Sequence, residues 1–192
     1  MRQVFFFPDN TVLINFTLLN RQDLVKWFTS QGTRQWTLSI CRECMKSTGY
    51  KGLEAMARWG ELFGNPLSPN RMELLTARQI ADEMRIPGEN APGKHMGEAE
   101  TIAIAESRCI GSIFLTDDHE AARVAESRGL HIVSTTRVIA FAEVGGMIFH
   151  DEARRGLADL LNRDRILGGS PEPARYDEYV RNLRIKHQSI VR

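Results

Sequence analysis

Acidic side chains stand beside apolar runs at four separated places in this chain. Asp9 follows "VFFFP", Glu43 lies in "CRECMKS", Glu98 opens "GEAETIAIA", and Asp117 and Asp118 close "SIFLT". Carboxylates gathered in one cleft repel one another at reduced effective dielectric, so they stay protonated or the site opens unless a cation compensates. Hard oxygen donors without a matching Cys/His set point to Mg²⁺ or Mn²⁺, and Mg²⁺ keeps several waters and meets substrate phosphates. Such ions acidify a bound water, orient it in line and stabilise charge on a transferring phosphate. The residue types therefore point to phosphodiester chemistry, provided the chain brings them together.

The elements that would do so alternate between strand and helix. Val4 to Phe7 is a continuous apolar run ended by Pro8 and Asp9, which suits a strand buried on both faces of a parallel sheet. A helix is predicted over "NTVLINFTLLN", and another through "DLVKWFTSQG", with Asn20 as a cap and Gly32 as its stop. A short strand "QWTLS" comes next, then a helix from about Ser39 that carries Glu43. "GLEAMARWGELFG" and "RMELLTARQIADEM" read as two amphipathic helices, and "RIPGENAPGKHMG" as a loop. A helix from Gly97, the strand "SIFLT", the helix "HEAARVAESR" stopped by Gly129, and the strand "HIVST" complete the alternation. This order predicts an α/β fold with a parallel sheet, in which ligands bind outside the carboxyl ends of the strands. The acids fall at that edge. After about Thr135 the chain reads as helical, and the arginines interleaved with acids in residues 151–192 read as the solvated face of surface helices. The expected division is a domain over 1–150 and a helical C-terminal extension over 151–192.

With 192 residues, one domain or one domain with an appendage is expected. Apolar and charged fractions of 42% and 26% exclude a disordered or collagen-like chain. A net charge of +1 gives no global pull towards nucleic acid or anionic membrane. The apolar run near the N-terminus is too short for a signal peptide, and no later run approaches membrane-spanning length, so a cytoplasmic protein is expected. Three cysteines make a poor disulfide framework. Cys41 and Cys44 form a C-x-x-C, but thiols at i and i+3 share a helix face and more simply pack as small hydrophobes.

"FPDNTVLIN" resembles the opening signature of PIN-domain nucleases, an Asp followed two residues later by a small polar residue and then an aliphatic pair. "GEAETIAIA" followed by "FLTDDHEAARVAESRGL" resembles the second half of that domain, in a variant with Glu after Gly. The resemblance spans roughly residues 3 to 150. It implies a three-layer α/β/α sandwich with a central parallel sheet, and a Mg²⁺- or Mn²⁺-dependent endoribonuclease whose products carry a 5′-phosphate and a 3′-hydroxyl. It implies Asp9, Glu43, Glu98 and Asp118 as the catalytic, metal-binding acids. Thr116 and Asp118 match a Thr-x-Asp pattern, which leaves Asp117 as a neighbour able to share the ion or its waters. Thr11 matches the polar residue that supports the site. Many small bacterial members are VapC-type toxins, so an RNA substrate, an antitoxin and a homodimer are the partners implied. The segment between Glu43 and Glu98 is longer than in compact toxins, and the helical tail is additional.

Each residue also has a simpler reading. Asp9 and Asp118 can each cap a helix, a role worth about 1 kcal/mol, and a carboxylate with two oxygens can cap and bind metal at once. Glu98 and Glu100 point about 200° apart on a helix, so Glu100 is expected to be solvated or ion-paired. Arg123, one turn beyond His119, can reach a phosphate or form a surface ion pair. Lys94 and His95 can touch an RNA backbone or simply lie in an exposed loop. Two other classes compete: a catalytically inactive PIN-like scaffold that binds RNA or protein, and a receiver-like phospho-acceptor domain. The latter wants its paired acids after the first strand and a Lys after the last, which "HIVSTTR" lacks.

Overall fold

The computed structural model describes residues 3–85, 93–109, 111–168 and 172–190. The strands β1 (Phe5–Pro8), β2 (Thr33–Arg34), β3 (Ile113–Leu115) and β4 (His131–Val133) form one sheet in the order β2-β1-β3-β4. Every pairing in it is parallel, with Phe6 opposite Ile113 and Leu115 opposite Val133. The helices are α1 (Asn10–Leu18), α2 (Gln22–Phe28), α3 (Leu38–Ser47), α4 (Trp59–Phe63), α5 (Arg71–Glu83), α6 (Met96–Arg108), α7 (His119–Ser127), α8 (Thr135–Val144), α9 (His150–Asn162) and α10 (Tyr176–Ile190). No helix among the described residues is long and apolar enough to cross a membrane.

The apolar runs become strands because both of their faces are covered. Side chains alternate across a strand, so Phe7, Phe114 and Ile132 enter one core with α5, α6 and α7. Leu115 and Val133 enter the other, with α1, α3, α8 and α9. The fold is thus α/β, with helices on both faces of a parallel sheet.

Three differences from the sequence reading have local causes. The second strand is Thr33–Arg34, not "QWTLS". Trp36 is drawn away to stack on Phe63, its indole N–H donating to the Gly64 carbonyl at 2.8 Å, and Thr37 already caps α3. "GLEAMARWGELFG" forms a 3₁₀ turn over Glu54–Arg58 and then the short α4. Trp59, at the junction, is buried with its N–H on Thr17 Oγ1 at 2.9 Å. Finally, Ala153, Leu157, Leu160, Leu167, Tyr176 and Val180 belong to the same core as Val12 and Phe16 of α1, so residues 151–192 supply core as well as surface. Part of the loop "RIPGENAPGKHMG", residues 86–92, lies outside the described residues.

Candidate functional site

The sheet order places β2 on one side of β1 and β3 on the other. The chain therefore leaves β1 in opposite directions for its two neighbours, and the crevice beyond the carboxyl ends of β1 and β3 is where such sheets bind ligands. Asp9 is the first residue beyond β1, and its N–H donates to the Leu115 carbonyl of β3 at 2.8 Å. Thr116 follows β3 and donates its N–H to Val133 at 3.2 Å. Backbone hydrogen bonds of the sheet thus fix both residues at the crevice.

Asp9 is 0% exposed. Its Oδ2 accepts hydrogen bonds from the Thr11 hydroxyl and from Thr116 Oγ1, while its Oδ1 is buried with no partner. Although Asp9 precedes α1, its side chain closes no cap hydrogen bond, so capping does not account for it. Burial raises its pKa, the Thr11 hydroxyl and nearby backbone N–H groups oppose this, and the Asp118 charge adds to it.

Glu43 and Glu98 approach from the helices. Gly97 favours this: a Cβ there would lie 2.7 Å from Glu43 Oε1 and 2.9 Å from Ile40 Cδ1, so a larger residue would displace the Glu43 and Ile40 side-chain ends from the start of α6. Burial, then the charge of Asp9, pushes Glu98 up to about 8, with Glu43 and Asp118 adding to the shift. Burial and Asp9 push Glu43 up to about 7, against the pull of Lys46. Asp9, Glu43 and Glu98 are thus each raised in part by the charge of a carboxylate far away in the sequence, as happens when acids share one region.

The doublet after β3 splits into two roles. Asp118 caps α7, its Oδ1 accepting from Ala121 N at 2.8 Å, and its own N–H donates to Thr116 Oγ1 at 3.1 Å. Its side chain is half-buried, and its charge acts on Asp9 and Glu98. Asp117 is 3% exposed and turned the other way. Its Oδ1 accepts from Thr135 N at 3.0 Å, and its Oδ2 from Asn15 Nδ2 at 2.9 Å and from the Thr135 hydroxyl. It ties β3 to α1 and α8, and burial pushes its pKa up to about 6. Its carboxylate oxygens are both engaged in hydrogen bonds to Thr135 and Asn15, and the charge of Asp9 reaches it.

Other candidates are placed elsewhere. Arg123 pairs with Glu120 at 2.8 Å and reaches the Glu83 carbonyl at 3.2 Å, which is the surface ion pair of its simpler reading. Lys94 is exposed in the turn before α6, and His95 is buried with a left-handed φ of 66°. His119 is exposed at the start of α7. Glu100, expected to be solvated or ion-paired, is 8% exposed, has an unpartnered Oε2 and adds to the shift of Glu43. An unbroken run from Ala99 to Ala105 is buried, so α6 is enclosed over that stretch and Glu100 lands inside, while Glu98 is half-buried and Glu106 exposed towards its ends. The C-x-x-C thiols are free. Burial pushes Cys44 up to about 12, the opposite of what a redox nucleophile needs.

Sequence reasoning missed Arg165 and Asn15. Asn15 is fully buried on α1, and its Oδ1 accepts from Arg165 Nε at 2.7 Å. Arg165 also reaches the Thr11 carbonyl at 3.5 Å, and it feels the charges of Asp117 and Asp9. A polar Asn inside the apolar "TVLINFTLL" was a readable signal, whereas nothing sets Arg165 apart within an arginine-rich tail.

The donor set suits a hard divalent cation: carboxylate oxygens only, one of them buried and orphaned. Even so, among the described residues no three His, Cys, Asp or Glu side chains already stand around one ion position. A cation shared by these acids would need their carboxylates drawn closer together. No protein-family model matches the chain, and no curated protein matches it either.

Proposed function

We propose that the chain is a Mg²⁺- or Mn²⁺-dependent phosphodiester hydrolase acting on RNA, a PIN-like ribonuclease, with Asp9, Glu43, Glu98 and Asp118 as its metal-binding acids. The observation that carries this reading is the partnerless, buried Oδ1 of Asp9 among three further carboxylates at the crevice between β1 and β3. A buried acceptor without a donor is destabilising by about 1–3 kcal/mol, a cost that a cation bound at Asp9 Oδ1 would remove. Repulsion among the four acids also favours a cation.

When bound, the metal supplies Lewis acidity towards the phosphate and lowers the pKa of water. The chain supplies the rest. Thr11 and Thr116 hold Asp9 Oδ2, which fixes the direction of Oδ1. Asp118 is held through its cap on Ala121 N, with a second oxygen that would serve a cation. Burial and neighbouring carboxylates favour the protonated forms of Glu43 and Glu98, so holding a cation would require them to give up protons near neutral pH.

The resemblance of "FPDNTVLIN" and "GEAETIAIA" to PIN nucleases supports RNA as substrate and a role as the toxin of a toxin–antitoxin pair, in a cytoplasmic homodimer. A second reading, an RNA- or protein-binding scaffold that does not cut, is favoured by the dispersed placement of the acids. The experiment that separates them incubates purified protein with mixed RNA and Mn²⁺, then repeats with chelator and with Asp9→Asn. Cleavage lost in both controls supports the hydrolase. Cleavage that survives both overturns it, and RNA binding without any cleavage supports the scaffold.

A further inference from the structure

Within the segment after α9 the chain makes a sharp, specified turn. Asp164 has a left-handed φ of 55°, and Arg165 N donates to the Leu160 carbonyl at 3.0 Å, a helix stop that reverses the chain. Leu167 is buried in the core, and Gly168 lies flat on the end of β3, where a Cβ would come 1.8 Å from the Asp117 carbonyl oxygen. Residues 165–168 are therefore pinned at the crevice by a turn on one side and a backbone-to-backbone contact on the other.

This pinning directs Arg165 inward. Its Nε is held at 2.7 Å by Asn15 Oδ1, and Asn15 is itself held through Nδ2 by Asp117 at 2.9 Å and Thr135 Oγ1 at 3.2 Å. One Nη reaches the Thr11 carbonyl at 3.5 Å, in the residue that also holds Asp9. Burial lowers the guanidinium pKa, while the charges of Asp117 and Asp9 raise it. Yet among the described residues no carboxylate forms an ion pair with it. A cation oriented by a buried amide within the field of Asp9 and Asp117, with neutral hydrogen-bond partners only, keeps its charge and much of its fork for an anion.

We propose that Arg165 is the phosphate-binding residue of this site: its guanidinium takes the non-bridging oxygens of the substrate phosphodiester beside the acid cluster, with Asn15 setting its orientation. This rests on the hydrolase reading, and it assigns to the C-terminal segment a direct part in binding substrate.

The test measures binding, not only cleavage. Fluorescence anisotropy with a fluorescein-labelled single-stranded RNA of mixed sequence, in Ca²⁺ and separately in chelator, is compared for the wild type, Arg165→Gln and Arg165→Lys. Calorimetric titration with Mn²⁺ is run on the same proteins. Arg165→Gln is expected to weaken RNA binding in Ca²⁺ by about ten- to a hundredfold and to lower the salt slope by about one, without weakening Mn²⁺ binding. If wild type and Arg165→Gln bind RNA equally while the wild type cleaves it, the phosphate role is overturned and the hydrolase reading stands. If Arg165→Gln tightens Mn²⁺ binding and leaves RNA binding unchanged, Arg165 is a resident counter-cation and the proposal falls. If the wild type neither binds nor cleaves RNA, both readings fall. Should Arg165→Gln not fold, Arg165→Lys decides: weaker RNA binding at unchanged Tm sustains the proposal, and unchanged binding overturns it.

Discussion

Replacing Glu98 with Gln stabilises the cation-free protein, and does so more strongly as pH rises. Burial, then Asp9, Glu43 and Asp118, hold the Glu98 carboxyl at about 8 where a free Glu lies at 4.5. Between those values the native state keeps a proton that the unfolded chain has released, so stability is highest below the lower value and falls until the higher one is passed. Each pH unit in that interval removes about 1.4 kcal/mol. Asp9 and Glu43 share the repulsion, so about half of the full interval is assigned to Glu98, on the order of 2–3 kcal/mol near pH 8. Gln keeps the volume and carries no charge, so it escapes this loss. For a chain of this length that corresponds to a Tm higher by roughly 5–10 °C. Thermal melts in chelator should show wild type and Glu98→Gln nearly equal at about pH 5 and separated by that amount at about pH 8. Mn²⁺ should raise the wild-type Tm at the higher pH and narrow the gap, because only the deprotonated acids hold a cation. A difference in Tm that stays flat with pH, or a Gln variant less stable at the higher pH, would refute the reasoning.

Further outcomes follow from the same contacts. Asp118→Asn keeps an amide able to cap α7 but should reduce RNA cleavage by more than the ~10–100-fold that supporting residues of a metal site cost, as measured by initial rates. Asp117→Asn turns an N–H towards Asn15 Nδ2 and should instead lower stability by about 1–3 kcal/mol in denaturant titrations, with Mn²⁺ affinity close to wild type. Glu73, held at about 2 by Arg108 against the opposing effect of burial, joins α5 to α6. Its stabilisation is complete above about pH 4.5 and is lost as pH falls through about 2, so the gap between wild type and Glu73→Gln, roughly 2–3 kcal/mol at neutral pH, should shrink on acidification. Glu143 accepts from Tyr176 Oη and Arg184 Nη2, each at 2.8 Å, so Glu143→Ala should speed hydrogen exchange in α10 and leave α6 unchanged.

What was legible in the sequence was local. A run such as "VFFF" or "SIFLT" announces a buried strand, and the acid after it announces the carboxyl end, so the crevice acids could be named from short stretches. The split within Asp117–Asp118 was not local, because it depends on Thr135 and Asn15, which become neighbours only once β3 and β4 pair and α1 packs on them. Arg165 was further out of reach, 150 residues from the Asn15 that orients it. Glu100 was misjudged for a related reason: an angle of about 200° places it away from Glu98, but it does not say that α6 has protein on both sides. Trp36 and Trp59 similarly override local propensity, since burying an indole and satisfying its N–H outweighs completing a strand or a regular helix.

The central claim is that Asp9, Glu43, Glu98 and Asp118 hold one divalent cation at the end of the sheet. Its most direct measurement is a crystal grown with Mn²⁺ and recorded at the manganese absorption edge. The expected result is an anomalous peak beside Asp9 Oδ1 with the Glu43 and Glu98 carboxylates drawn onto it, absent from crystals of Asp9→Asn. A crystal saturated with Mn²⁺ that shows no peak at these four residues, or one that Asp9→Asn leaves in place, would contradict it.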